Sequence, residues 1–380
     1  MLQEALMDRI YHATNTDLYK YCGTWQATDE NDSSAMVCYW TASYVEFDFT
    51  GNGVTLLFSR ESTFDCRIDN GQYFTARSID GKYRIDGCTI GKHTVRILSH
   101  HRKNHIYFKG VEVNKGCVIS RTADKPHYIQ FIGDSISETP LSFAHRSADL
   151  LGWDYSVVAC SAVSLMRNRG YWRQVSGWYW DGSKNCWHEG SMAHRLHEKF
   201  GCLSIGMEDA FFKRGIPTFG PDAITDNPEF DDFADNYFTE KFDYDFGTGN
   251  YPDIVFIFLG TNDLTYDDPA AVQDAFVQTY RRFASRLFEI YGKDLKICIM
   301  QGVTGGKGMP ISMESARISA ILRAAEALKK DYPDNVSFID HETVDSWHAE
   351  ISEDKTHPSP AGYDTLTQKV ADYLASEFSD

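Results

Sequence analysis

Along the first third of the chain, apolar and polar positions alternate in short runs such as "SYVEFDF", "VTLLF", "HTVRIL" and "HIYFKGVEV". Turn residues Gly51, Asn52, Gly53, Gly71, Gly81, Gly87 and Gly91 separate them. Strand-length alternation broken at this spacing predicts an all-β sandwich from about Tyr21 to Val118. "RTADKP" at 121–126 reads as a linker. Beyond it the texture changes to continuous apolar runs, "YIQFIG", "YSVVAC", "DIVFIFLG", "LKICIMQG" and "VSFID", with helical periodicity over 269–291, 311–330 and 360–377. Uniformly apolar strands between amphipathic helices predict a parallel sheet covered on both faces. The expected organisation is therefore a β-sandwich domain at 1–120 and an α/β domain at 127–380. Between Ala162 and Pro252 the connection is far longer than a strand-to-strand crossover needs. It predicts an insert at about 166–250, serving as a lid or a specificity element.

Composition narrows the function. A net charge of -17 repels phosphate backbones and anionic membranes, which argues against nucleic-acid and membrane partners. The apolar run "IVFIFL" falls well short of the roughly 20 residues that cross a bilayer. "MLQEALMDRI" lacks the basic and apolar regions of a secretory signal, so the chain is expected to stay in the cytoplasm, or to be secreted after removal of a leader that preceded residue 1. Nine scattered cysteines with no CxxC pair argue against a disulfide framework or a zinc site and read as mostly buried thiols.

Candidate chemistry collects where the strands end. "FIGDSISE" stops a buried strand on Gly133 and offers Asp134 and Ser135 at its tip. A serine there is either a helix cap or a nucleophile, because both uses favour a hydroxyl in a first turn. In open parallel sheets, ligands sit beyond the carboxyl ends of the strands, where this serine falls. "FLGTNDL" puts Asn262 just past another strand, as an oxyanion donor or as part of an Asn-Asp turn. "EDKTHPSPAGY" sets Asp354 three residues before His357, a spacing at which a carboxylate can hold an imidazole in the tautomer that accepts a serine proton.

Taken in order, "GDSIS", "ACSAVS", "GTND" and "DKTH" resemble the four blocks of the SGNH (GDSL) hydrolases. The β-sandwich leading into "GDS" is similar to the two-domain acetyl esterases of carbohydrate esterase family 2, with "FDFTGNGVTLLF", "CRIDNG" and "IYFKGVEV" matching their jelly roll in type. This resemblance implies an SGNH-type α/β/α sandwich preceded by a jelly roll. It implies a serine esterase that removes O-acetyl groups from saccharides, with an acetylated saccharide as partner and no metal or cofactor. Ser135 would be the nucleophile, His357 the base and Asp354 its orienting acid. The N–H groups of Ser135 and Ala162 and the Asn262 amide would form the oxyanion hole, with Ala162 standing where the family has glycine, an exchange that keeps the donor if its φ is ordinary. A short-chain lipid esterase, a thioesterase and a non-catalytic carbohydrate-binding protein are the alternatives.

Other signals are weaker. No GxSxG elbow occurs, and "GVTGGKGM" lacks the residues of a phosphate loop. His194 with His197, and His341 with Glu342 and Asp345, resemble metal ligands less than solvated helix faces and loop ends. Phe230, Phe233 and Tyr237 lie at helical spacing in an acidic segment that reads as packed on the core. Trp172, Trp178, Trp180 and Trp187 crowd the insert; Trp178 and Trp180 are candidates for a sugar platform, with core packing as the competing role.

Overall fold

A computed structural model describes residues 9–28, 34–99, 105–169, 180–181, 186–187, 190–202, 204–216, 223, 226, 228–248, 250–263, 269–302, 311–354 and 356–378. The chain divides into two compact units, one of Met1–Pro126 with Asp154–Val157 and Asp245–Asn250, the other of His127–Trp153, Val158–Tyr244 and Tyr251–Asp380.

In the first unit the strands are β1 (Arg9–His12), β2 (Lys20–Cys22), β3 (Trp25–Ala27), β4 (Met36–Cys38), β5 (Tyr44–Gly51), β6 (Val54–Phe58), β7 (Thr63–Ile68), β8 (Phe74–Arg77), β9 (Lys82–Ile85), β10 (Gly91–Leu98), β11 (Ile106–Val113) and β12 (Ile119–Ser120). One sheet runs β3-β4-β11-β6-β9 with β1 also on β11, and the other runs β12-β5-β10-β7-β8 with β2 on β5. Their inward residues, among them Phe47, Phe49, Val95, Ile97, Phe108 and Val111, share one core. A register shift between Phe108 and Gly110 moves the inward set of β11 from even to odd positions, as a bulge must. Charge is also buried here. Lys20 is fully enclosed and pairs with Glu46 at 3.2 Å and Asp154 at 2.9 Å, while Arg96 holds the second Glu46 oxygen at 2.7 Å. Burial works against the Glu46 charge, yet Arg96 and Lys20 bring its carboxyl down to about 2.

The remaining sheet is built from β13 (Tyr128–Gly133), β14 (Asp154–Ala159), β17 (Ile254–Phe258), β18 (Lys296–Met300) and β19 (Val336–Ile339), in the order β14-β13-β17-β18-β19. A two-stranded ladder, β15 (Trp180–Asp181) with β16 (Cys186–Trp187), interrupts the numbering. The pairs β13/β17, β17/β18 and β18/β19 are parallel. Every residue of β13, β14 and β17 is buried, which is why these strands read as largely apolar, with Gln130, Asp154 and Ser156 as the buried polar exceptions. Helices Phe143–Leu151 and Pro360–Glu377 pack together, as do Pro269–Tyr291 and Ile311–Asp331. Proline at the first position and the Ser359 hydroxyl on the Gly362 N–H start the last helix where the sequence indicates. The strand order reverses between β13 and β17, and such a switch point opens a crevice at the carboxyl edge.

Candidate active site

The chain leaves β13 through Gly133 into a single helical turn, Ser135–Glu138. A Cβ at Gly133 would lie 2.3 Å from the Ser137 hydroxyl and 3.3 Å from the Phe258 carbonyl, so only glycine lets the turn close against β17. The cap of that turn is Asp134, whose Oδ1 accepts from the Ile136 N–H at 3.0 Å. Burial pushes the Asp134 carboxyl up to about 6, against the opposing Ile136 N–H and Thr261 hydroxyl and the nearby His357 and Arg317 side chains. With capping assigned to its neighbour, the Ser135 hydroxyl is available for another partner.

That partner is His357, with Ser135 Oγ 2.7 Å from its Nε2. The other ring nitrogen, Nδ1, is 2.7 Å from Asp354 Oδ2. Asp354 Oδ1 accepts from the N–H groups of Thr356 and His357 at 2.8 and 2.9 Å and from the Ser352 hydroxyl at 2.8 Å, an Asx-type turn that fixes the three-residue spacing. Burial opposes the Asp354 charge, but these donors and the His357 ring outweigh it and hold the carboxyl well below the usual carboxylate range. An ionised carboxylate only accepts, so Nδ1 carries the ring proton and Nε2 accepts from Ser135.

Ala162 follows β14 in a turn closed by the Val163 N–H on the Cys160 carbonyl at 3.2 Å. Its φ of +63° is in the left-handed region, so the ordinary φ on which the alanine exchange was conditioned is not what this residue adopts. A β-turn whose third residue alone has positive φ is of the type II class, which explains the glycine of the resembling family. Asn262 lies beyond β17, and its Nδ2 donates to the Val163 carbonyl at 2.8 Å, leaving the amide's second N–H for another acceptor.

Two residues that the sequence did not single out hold this turn. Glu138 Oε2 receives both the backbone N–H and the hydroxyl of Ser161 at 2.5 Å. Asp263 accepts from the N–H groups of Leu165 and Met166, both at 2.8 Å, with burial pushing its carboxyl up to about 7 against those two bonds. The available signal was an acid inside an otherwise buried stretch, at "SISE" and at "GTND". In the insert, Phe230, Phe233 and Tyr237 are buried on or just after the helix Pro228–Asn236. Trp178 lies outside the described residues, as does the side chain of Trp180, whose backbone pairs with Trp187 in β15 and β16.

A five-stranded parallel sheet with its helices, following an antiparallel β-sandwich, is the SGNH-type α/β/α fold with a jelly-roll domain in front. Residues 235–365 match the model of the GDSL-like Lipase/Acylhydrolase family, a span that includes Asn262, Asp354 and His357. The resemblance to the SGNH (GDSL) hydrolases is thus carried by sequence as well as by fold. Among solved structures, a carbohydrate esterase family 2 enzyme with a carbohydrate binding domain from Corynascus thermopiles is similar over 94% of this chain and 98% of its own, with TM-score 0.63 and 21% identity. A family two carbohydrate esterase from Clostridium thermocellum, in complex with cellohexaose, covers the same shares with TM-score 0.62 and 17% identity. An acetyl xylan esterase from the rumen bacterium Butyrivibrio proteoclasticus covers 98% of both chains with TM-score 0.63 and 15% identity. No curated protein matches by sequence.

Proposed function

We propose that this chain is a serine esterase that removes O-acetyl groups from saccharides through an acyl-serine intermediate. The observation that carries the reading is the continuous line from Asp354 through His357 to Ser135, with both junctions at 2.7 Å. In the reaction, Ser135 Oγ attacks the ester carbonyl while Nε2 of His357 takes its proton. Asp354 orients the ring and stabilises the imidazolium. The N–H groups of Ser135 and Ala162 and the Asn262 amide receive the oxyanion. His357 then returns the proton to the leaving sugar hydroxyl, and a water activated by the same histidine releases acetate. The saccharide assignment is supported by the likeness in fold to carbohydrate esterases, two of which are described with cellohexaose or as acetyl xylan esterase.

Hydrolysis of p-nitrophenyl acetate against longer acyl esters, followed by mass spectrometry of acetylated oligosaccharides, tests the substrate class. Preference for long acyl chains or thioesters would move the reading to a lipid esterase or a thioesterase. Ser135→Ala and His357→Ala should each lower kcat by several orders of magnitude, about 10⁴-fold or more, while the chain stays folded by circular dichroism. A folded Ser135→Ala that still turns over ester would end the mechanism, and saccharide binding without turnover by the parent chain would favour the non-catalytic alternative. In this reading Trp178 and Trp180 supply the sugar platform. Their alanine variants should lose kcat/KM on oligosaccharides and keep it on p-nitrophenyl acetate, and an equal loss on both would assign them to packing.

A further inference from the structure

The turn Cys160–Val163 presents a conformational problem at the Ala162 N–H. Type I and type II turns differ by a flip of about 180° in their central peptide, here the Ser161–Ala162 peptide that carries this N–H. Only the type II form has positive φ at the third residue, and an alanine resists that value where a glycine does not. Left to local preference, the peptide would turn over and aim its donor the other way. Something outside the turn must hold it.

Glu138 is placed to do so. It ends the same helical turn that begins with Ser135, and one of its oxygens takes both the N–H and the hydroxyl of Ser161 at 2.5 Å. Those two bonds hold the N–H and the side chain of the second turn residue, the pivot from which the following peptide departs. On the far side, the Asn262 amide on the Val163 carbonyl and the Asp263 carboxylate on the Leu165 and Met166 N–H groups anchor the exit of the turn. We infer that Glu138 is a positioning residue that locks the Ser161–Ala162 peptide in the orientation from which the Ala162 N–H serves the oxyanion. The inference rests on the esterase reading above, with Ala162 as a donor.

The test is steady-state kinetics of the full chain on p-nitrophenyl acetate, with Glu138→Ala made in the parent and in an Ala162→Gly background. In the parent, Glu138→Ala should lower kcat by about 10- to 100-fold, less than deletion of a donor, with KM changed by less than about 2-fold. Glu138→Gln should recover most of that loss, since its carbonyl oxygen can still accept from Ser161. In the Ala162→Gly background, where positive φ needs no external hold, the loss from Glu138→Ala should shrink to about 3-fold, a coupling that a purely structural role would not produce. Equal losses in both backgrounds, or no loss in the parent, would overturn the inference. If Glu138→Ala does not fold, Ser161→Ala, which removes one of the two bonds, is measured in the same two backgrounds. A loss confined to the Ala162 background supports the lock, and none in either refutes it. Ser135→Ala separates the levels: turnover without that hydroxyl defeats the esterase reading itself, whereas an inactive Ser135→Ala with no Glu138 coupling defeats only the lock.

Discussion

At the scale of single residues, the site depends on how tasks are divided among neighbouring side chains. Asp134 caps the turn and so leaves the Ser135 hydroxyl to His357. Asn262 braces the Val163 carbonyl through one amide N–H, and in the proposed mechanism its second N–H is offered to the oxyanion. Asn262→Ala should therefore cost about 100- to 1000-fold in kcat with KM nearly unchanged. A raised KM with intact kcat would instead make it a ground-state binding residue. Ala162 shows a different economy. Its positive φ carries about 1–2 kcal/mol of strain for an L-residue, and a glycine there would add about 0.5–1 kcal/mol of unfolded-chain entropy. Ala162→Gly should raise the unfolding free energy by roughly 0.5–1 kcal/mol, read as a higher urea midpoint. A lower midpoint would show that the alanine methyl contributes packing larger than the strain.

At the scale of elements, β13, β17 and β18 were legible because nearly complete burial demands mostly apolar residues, and the helices Pro269–Tyr291 and Pro360–Glu377 were legible to the residue because prolines mark their starts. The contacts that join Ser135, His357 and Asp354, and the place of Asn262 beyond β17, were legible because each residue follows a strand or turn in a recognisable order. Glu138 and Asp263 were not. Their roles depend on backbone groups 23 and about 100 positions away, which no local pattern encodes. The left-handed φ of Ala162 was equally hidden, since alanine gives no sign of it. Nor does the sequence announce that His93 on β10 lies between two acceptors, Asp69 Oδ2 and the Thr89 carbonyl, each at 2.8 Å. Only the imidazolium can donate to both, and the bonds to Asp69 and then Thr89 raise its pKa. A histidine whose folded pKa is raised contributes stability that is complete below its ordinary value of about 6.5 and disappears as pH climbs through the folded value. Urea midpoints of the parent should thus fall over that interval, and His93→Gln should flatten the fall. An unchanged slope in the variant would assign the pH dependence elsewhere.

At the scale of the whole molecule, a net charge of -17 contrasts with the balanced buried set of Lys20 and Arg96 against Glu46 and Asp154. In this set the enclosed charges are matched, whereas the buried Asp134 and Asp263 are held by hydrogen-bond donors and have raised carboxyl pKa values. The long sequence gap inside the proposed catalytic line has a kinetic meaning. Ser135 and His357 are 222 residues apart, one just after the first strand of its sheet and the other just before the last helix. Bringing such distant positions together is expected to be a late step of folding, because the loop between them must be closed before their contact contributes anything. Recovery of esterase activity after dilution from denaturant should lag the return of far-ultraviolet ellipticity. A fragment ending before His357 should regain secondary structure and no turnover, so that catalysis itself becomes a clock for the final closure of the chain.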